Sequence, residues 1–247
     1  MFRRNIQTQI KITQGLMNPV PKLKTRITTI EDTEQILNVI KKGFHYDENL
    51  NKLFKLSFNE MLPIYKLILK NPFTINNSLV AVDQYDNIIG TFIILLKSKD
   101  PKFQHYFNES DDELMIELVK RNKKISTIFD IFYKSTEKVE KVLLNQFGSV
   151  YNSLILGILP EYRNQKVGTL LMSAREDKIF SKYKSIQADF GTCTTFKSRA
   201  ILKNLGYHDC GHVSLTEYGA ECLHDGTTHV IGIYKIFDNH TKLINLF

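Results

Sequence analysis

Residues Pro160-Glu161-Tyr162-Arg163-Asn164-Gln165-Lys166-Val167-Gly168-Thr169 form a short polar loop. It closes the apolar run 151–159 and opens the next helical segment. A loop of this kind aims several backbone N–H groups at one point and, with the helix N-terminus behind it, makes a site for an anion. Arg163 and Lys166 add positive charge where a diphosphate would lie, and Gly168 lets the backbone come close to it. Taken alone, the pattern also fits an ordinary strand–helix turn. Two further groups invite a chemical reading. Cys193 is a candidate nucleophile, but no base neighbours it in sequence, and a buried thiol is the simpler reading. His208, Cys210, His212, Cys222, His224 and His229 fall late in the chain. Their spacing is not that of paired zinc knuckles, so no metal site is assigned, although strand geometry would put the first three on one face.

The longer string resembles the coenzyme A signature of the GNAT superfamily of N-acetyltransferases. There a strand is followed by Pro-Glu-Tyr-Arg and then Gln/Arg-x-x-Gly-x-Gly/Ala at a helix start. Here Arg163-Asn164-Gln165-Lys166-Val167-Gly168 takes that place, with Lys166 where the family usually has its first glycine. The segments 79–96 and Asn204-Leu205-Gly206-Tyr207 also resemble family elements, and the likeness runs over about residues 24–238. It implies acetyl-CoA as co-substrate. The strand ending at Leu159 would splay from the next, and the backbone of Ile158 would pair with pantetheine. The diphosphate would rest on Arg163, Asn164, Gln165, Lys166, Val167, Gly168 and Thr169.

Phe44-His45-Tyr46-Asp47-Glu48-Asn49-Leu50 resembles the F-x-x-D-E-P-L element of insect-type arylalkylamine N-acetyltransferases, with Asn49 in place of proline. That likeness implies Glu48 as general base. The family's Ser-x-x-x-Ser-Ala segment resembles Thr194 to Ala200, so Thr194 and Ser198 take the positions of its two serines. These residue types suit the reaction. An aliphatic amine is protonated at neutral pH and needs a carboxylate to take a proton. A backbone N–H on a splayed strand can stabilise the oxyanion of acyl transfer. Ser198 or Thr194 can relay a proton to the leaving thiolate, since Leu202 stands where many members carry a tyrosine. On the residues alone, Asp47 and Glu48 equally suit a solvated pair at a helix start, and Ser198 an N-cap.

The elements that must position these groups are legible from periodicity. Strands are expected at 24–30, 79–82, 88–96, 151–159, 185–193, 207–218 and 229–237. Helices are expected from 32 or 33 to about 42, and at 58–69, 111–122, 123–147, 167–180 and 196–205. Pro63 argues for a start of the second helix nearer to itself. Strand–helix–strand units in the second half imply a parallel pair. The expected fold is therefore a mixed, mostly antiparallel, seven-stranded twisted α/β sheet flanked by helices, GNAT-like, with a splay between the fourth and fifth strands.

With 247 residues the chain suits one domain, taken as 22–240, behind a loose arm at 1–21. The net charge of +7 owes much to Arg3, Arg4, Lys11, Lys22, Lys24 and Arg26, which all precede the first acid, Glu31. That leader reads as a solvated tail in a cytoplasmic protein, with an organelle transit peptide as the alternative. Three cysteines and no secretory signal argue for a reducing compartment. The expected partner is a small amine, on a monomer or weak homodimer, with neither nucleic acid nor membrane bound. A protein or peptide acetyltransferase and a non-catalytic acyl-CoA-binding module are the alternatives on the same fold.

Overall fold

The computed structural model describes residues 23–237, so the proposed arm lies outside the described residues. Seven strands form one sheet: β1 (Lys24–Ile27), β2 (Leu79–Val82), β3 (Ile88–Ser98), β4 (Ser149–Ile158), β5 (Ala188–Cys193), β6 (His208–Ser214) and β7 (His229–Ile236). Their order is β1-β2-β3-β4-β5-β7-β6. Only β4 and β5 run parallel, and every other neighbouring pair is antiparallel. The expected mixed sheet is therefore present.

Among the described residues eight α-helices cover its faces: α1 (Thr33–Ile40), α2 (Asn49–Leu53), α3 (Phe58–Lys70), α4 (Pro72–Asn77), α5 (Glu109–Arg121), α6 (Lys123–Phe147), α7 (Val167–Arg175) and α8 (Phe196–Asn204). Apolar residues of α1, α3 and α6 close one face through Ile36, Ile64 and Ile128. Those of α7 and α8 close the other with Leu171, Met172 and Leu202. At the centre of α6 the helix presses hard on the sheet. A Cβ placed on Gly211 or Gly232 would come within 2.1 or 1.9 Å of the Ser135 carbonyl oxygen. Only glycine pairs on β6 and β7 allow that approach.

The structure departs from the sequence expectations at several places, among them β5, which begins at Ala188 and not at 185. The helix at Phe58 does not wait for Pro63. Ser57 and Glu60 form a capping box that starts it there, and Pro63 sits inside it. β1 stops at Ile27 and a 3₁₀ turn takes Ile30–Asp32, with Asp32 bonded back to the Thr29 N–H at 2.8 Å. The run 207–218 ends as a strand at Ser214 and closes with a 3₁₀ turn. A bulge at Cys210 shifts the register between Asp209 and Gly211, so strand alternation does not carry through His208, Cys210 and His212. Among the described residues no group of three His, Cys, Asp or Glu side chains lies together as a metal site would require.

α1 and α7 each continue into a five-residue π turn, Lys41–His45 and Glu176–Phe180. The first of these carries the chain into the acidic motif. No helix among the described residues is long and apolar enough to cross a membrane.

Candidate active site

β4 and β5 pair only from Tyr151↔Asp189 to Ser153↔Gly191, although β4 continues to Ile158. The strands separate where β4 carries a bulge, with Ile93 opposite Ile155 and Ile94 opposite Ser153, leaving Leu154 extra. Leu159 donates its N–H to Ile89 on β3 at 2.9 Å. By antiparallel alternation, Leu156 and Ile158 turn their backbone groups away from β3, into the gap. The expected splay is thus an opened sheet whose Leu156 and Ile158 main-chain groups face the gap, the Ile158 carbonyl taken there by Arg163.

The polar loop caps that gap. Asn164 and Lys166 both sit in the left-handed region, at φ 61°. Lys166 is the N-cap of α7 and offers its first turn no side-chain cap, so N–H groups of Val167, Gly168 and Thr169 are left for a ligand. Alternating hands of this kind make an anion-binding concavity. A Cβ on Gly168 would touch Ile158 Cδ1 at 3.0 Å, so glycine there seats α7 against the strand end. Gln165 points elsewhere, donating to the Glu161 carbonyl at 2.9 Å.

Arg163 lines the gap, but its guanidinium is already engaged by the acidic segment and the strand end. Its guanidinium pairs with Asp47 and donates to the carbonyls of Gly43 and Ile158, each at 3.3 Å. It therefore fastens the acidic segment onto the cofactor loop. Burial would raise the Asp47 carboxyl, but hydrogen bonds from Arg163 and Lys52 prevail and hold it below its ordinary range. Lys166 and Lys197, which also line the cleft, have no ion-pair partner among the described residues.

The π turn packs so closely on β4 that a Cβ on Gly43 would lie 2.6 Å from the Ile158 carbonyl carbon. Glu48 follows as the N-cap of α2, with Oε2 accepting the Asn51 N–H at 2.7 Å. The helix-start reading is correct in that respect, but the residue is not solvated: it is 6% exposed. Oε1 has no hydrogen-bond partner among the described residues. Burial raises the Glu48 pKa, against the pull of the Asn51 N–H and the Thr194 side chain.

Around Glu48 lies a buried polar set that spacing did not single out. His45 contacts Tyr65 Oη, Asn51 Nδ2 and the Leu56 carbonyl at 3.0, 3.1 and 3.0 Å. Asn49 donates to the Thr194 carbonyl at 2.7 Å and so ties the acidic segment to the end of β5. Ser198 is held by the α8 cap. Its N–H donates to Thr195 Oγ1 and its hydroxyl to the Thr195 carbonyl, both at 3.0 Å. Ser153 donates its hydroxyl to the buried Asp189 at 2.6 Å. Burial pushes Asp189 up to about 6, although Arg175, Ser153 and Tyr207 favour its charge. Burial likewise pushes the Cys193 thiol up to about 11, which suits the packing role read for it.

Two cavities meet here. One, of about 530 Å³, lies along the gap and is lined by Ile158, Arg163, Asn164, Lys166, Val167, Gly168, Thr169 and Ser198. The other, of about 260 Å³, lies between α3, α6 and the sheet, with Met61, Tyr65, Phe129, Phe132 and Tyr133 in its wall. Glu48, Ser153 and Thr194 line both. Of the residues expected from sequence, the structure thus gathers Glu48, Thr194 and Ser198 with the loop and leaves Gln165 outside.

No family model matches the chain, and no curated protein matches it in sequence. Solved structures do match. Arylalkylamine N-acetyltransferase 2 from Aedes aegypti superposes with a TM-score of 0.68 at 16% identity, covering 88% of this chain and 100% of that one. Drosophila melanogaster polyamine N-acetyltransferase, described as forming N-acetylagmatine, gives 0.61 at 16% identity over 87% and 99%. A NatC complex bound to Gag peptide and CoA gives 0.51 at 11% identity over 87% and 99%. The fold is thus the one these acetyltransferases share, as the sequence likeness to the GNAT superfamily implied.

Proposed function

We propose that this chain is an acetyl-CoA-dependent N-acetyltransferase that acts on a small primary amine with an apolar or aromatic body. The observation that carries the reading is Glu48: a buried carboxylate with one unpartnered oxygen, at the junction of two cavities. Unpaired buried polar atoms are rare and call for a ligand or a chemical role.

Acetyl-CoA, when bound, supplies an acyl group activated as a thioester. The residues fit that molecule: N–H groups at the start of α7 and the Lys166 ammonium suit a diphosphate, and the Leu156 main chain and the Ile158 N–H suit an amide-containing arm. Lys197, on the far wall, adds a second cation for phosphate. Glu48 takes the proton of the attacking amine. Its raised pKa brings it nearer the working range of a base at neutral pH. Thr194 stands beside it, and Ser198 faces the cofactor side alone. Direct attack within a ternary complex needs no covalent enzyme intermediate, consistent with the buried, raised Cys193. The aromatic wall of the smaller cavity favours an arylalkylamine over a polyamine, whose several charges would be stripped of water there.

The test is thiol release from acetyl-CoA with phenethylamine and spermidine as acceptors. Expected are turnover of the aryl amine in preference to spermidine and a loss of about 10²–10⁴-fold in kcat for Glu48→Gln. Full activity in that variant removes the assignment of the base. No turnover with either amine, despite bound acetyl-CoA, favours the non-catalytic alternative.

A further inference from the structure

The neighbours of His45 decide its tautomer. Nε2 lies 3.0 Å from the Leu56 carbonyl, which can only accept, so Nε2 carries the proton. Nδ1 is then a lone pair. It lies 3.1 Å from Asn51 Nδ2, a donor, and 3.0 Å from Tyr65 Oη. That one lone pair faces two donors; Asn51 Nδ2 also donates to the His45 carbonyl at 3.1 Å, so Nδ1 is left to the Tyr65 hydroxyl, and what remains on the Tyr65 oxygen is acceptor capacity, part of it turned to Asn51. Tyr65 is 2% exposed yet lines the smaller cavity, as Glu48 does. Burial, and next the nearby Glu48 charge, hold its phenol far above the ordinary range, so the hydroxyl stays protonated while it serves as acceptor.

Resting on the acyl-transfer reading above, the geometry points to Tyr65 as a specificity-determining acceptor for the amine, with His45 as the positioning residue that fixes its polarity. A neutral primary amine has two N–H bonds and one lone pair. One N–H donates to Tyr65 Oη and the other to Glu48, which leaves the lone pair for the acyl carbon. As the nitrogen–carbon bond forms, the acyl–sulfur bond breaks with its electron pair on sulfur, and the proton facing Glu48 passes to that carboxylate. The Tyr65 hydrogen bond holds throughout and transfers nothing. A secondary amine or an alcohol has a single N–H or O–H and leaves one of the two acceptors unmet, a loss of about 10- to 100-fold.

The experiment compares phenethylamine with N-methylphenethylamine at saturating acetyl-CoA, on the full chain. The variants are Tyr65→Phe, His45→Phe and the two combined. Wild type is expected to prefer the primary amine by at least about 10-fold in kcat/KM. Tyr65→Phe should cut that ratio about tenfold, chiefly through the KM of the primary amine, with the Kd for acetyl-CoA unchanged. His45→Phe should cut it in part and add nothing on top of Tyr65→Phe. If Tyr65→Phe does not fold, His45→Phe carries the same readout. A wild-type ratio near one, or a ratio that the folded variants leave unmoved, overturns the inference while acyl transfer stands. Failure of wild type to acetylate any amine overturns the parent reading instead.

Discussion

Gly232→Ala tests whether α6, which walls the smaller cavity, is seated by the glycine pair beneath it. The added Cβ would stand 1.9 Å from the Ser135 oxygen and 2.8 Å from its carbon, where contacts under 3.0 Å essentially do not occur. The helix backbone must therefore retreat by about 1.1 Å, the difference between those two limits. Overpacking of this kind costs roughly 1–3 kcal/mol, and the backbone nature of the clash places it at about 3. Ser135 lies between Phe132 and Thr136, both in the cavity wall, so the same retreat loosens the amine site. A misplacement of about 1 Å can cost on the order of 10²-fold in rate. Urea unfolding with an unchanged m-value measures the first effect and the amine kcat/KM the second. On the proposed function the Kd for acetyl-CoA, assigned there to α7 and β4 on the other side, should stay within about threefold. Gly219→Ala is the control. At φ +76° with nothing within 4 Å of its Cβ, it should cost only about 1 kcal/mol of backbone strain and leave kcat/KM intact. A loss below about 0.5 kcal/mol in Gly232→Ala, with the amine kinetics unmoved, would refute the packing argument.

Lys166→Gly relieves a left-handed lysine and should raise the unfolding free energy by about 1 kcal/mol, while the Kd for acetyl-CoA rises because an unpaired cation is lost. The two should move in opposite directions in melting and calorimetry. For Glu48, burial puts the folded pKa above the unfolded value of 4.5, so its charge costs the folded state stability as pH rises past that value. Glu48→Gln should therefore melt higher than wild type at pH 7, with the gap closing toward pH 4. In wild type, kcat/KM should climb with pH through an apparent pKa above the usual carboxylate range. Asn49→Ala removes the 2.7 Å bond to the Thr194 carbonyl and should cost about 1 kcal/mol in urea unfolding, with a fall in kcat that Asn49→Asp does not rescue, since a carboxylate cannot donate.

Much of the architecture was readable because it rests on local signals. The hairpin at Leu79–Val82 and Ile88–Ser98 follows from two β-branched runs around a turn that Asp83 builds with its own side chain, accepting from the Tyr85 and Asn87 N–H groups at 2.9 Å. α6 follows from a long 3.6-residue repeat closed by Gly148. The loop at 163–169 was readable because a strand closed by Pro160, two basic residues and a glycine at a helix start leave a mark in residue types, whereas the left-handed Lys166 leaves none. The π turns were not, since one wider turn shifts no residue type in a detectable way. Nor were α2 and α4, which are too short to show a period. The task of Arg163 escaped because its partner lies 116 positions away, at Asp47. The His45–Asn51–Tyr65 set escaped for a related reason: each member alone reads as ordinary core or cap, and only packing of α3 against the π turn unites them.

The extra residue at Leu154 acts as a parity switch. Before it, Tyr151 and Ser153 look toward the α7 side, where Phe180 stacks on Tyr151 and Asp189 receives Ser153. Had Leu154 been taken into regular alternation, Ile155 and Gly157 would look that way too. With the bulge, Leu156 and Ile158 do, and Gly157 turns to the opposite side, where even a methyl would stand 3.3 Å from Phe44 Cβ. One strand thereby serves as a partition between two chambers, furnishing different fittings to each. A ladder that took Leu154 into regular alternation would exchange the furnishings and set a bulky side chain under the segment that bears Glu48, whereas deletion of Leu154 would straighten the strand and leave residues 155–158 facing as they do.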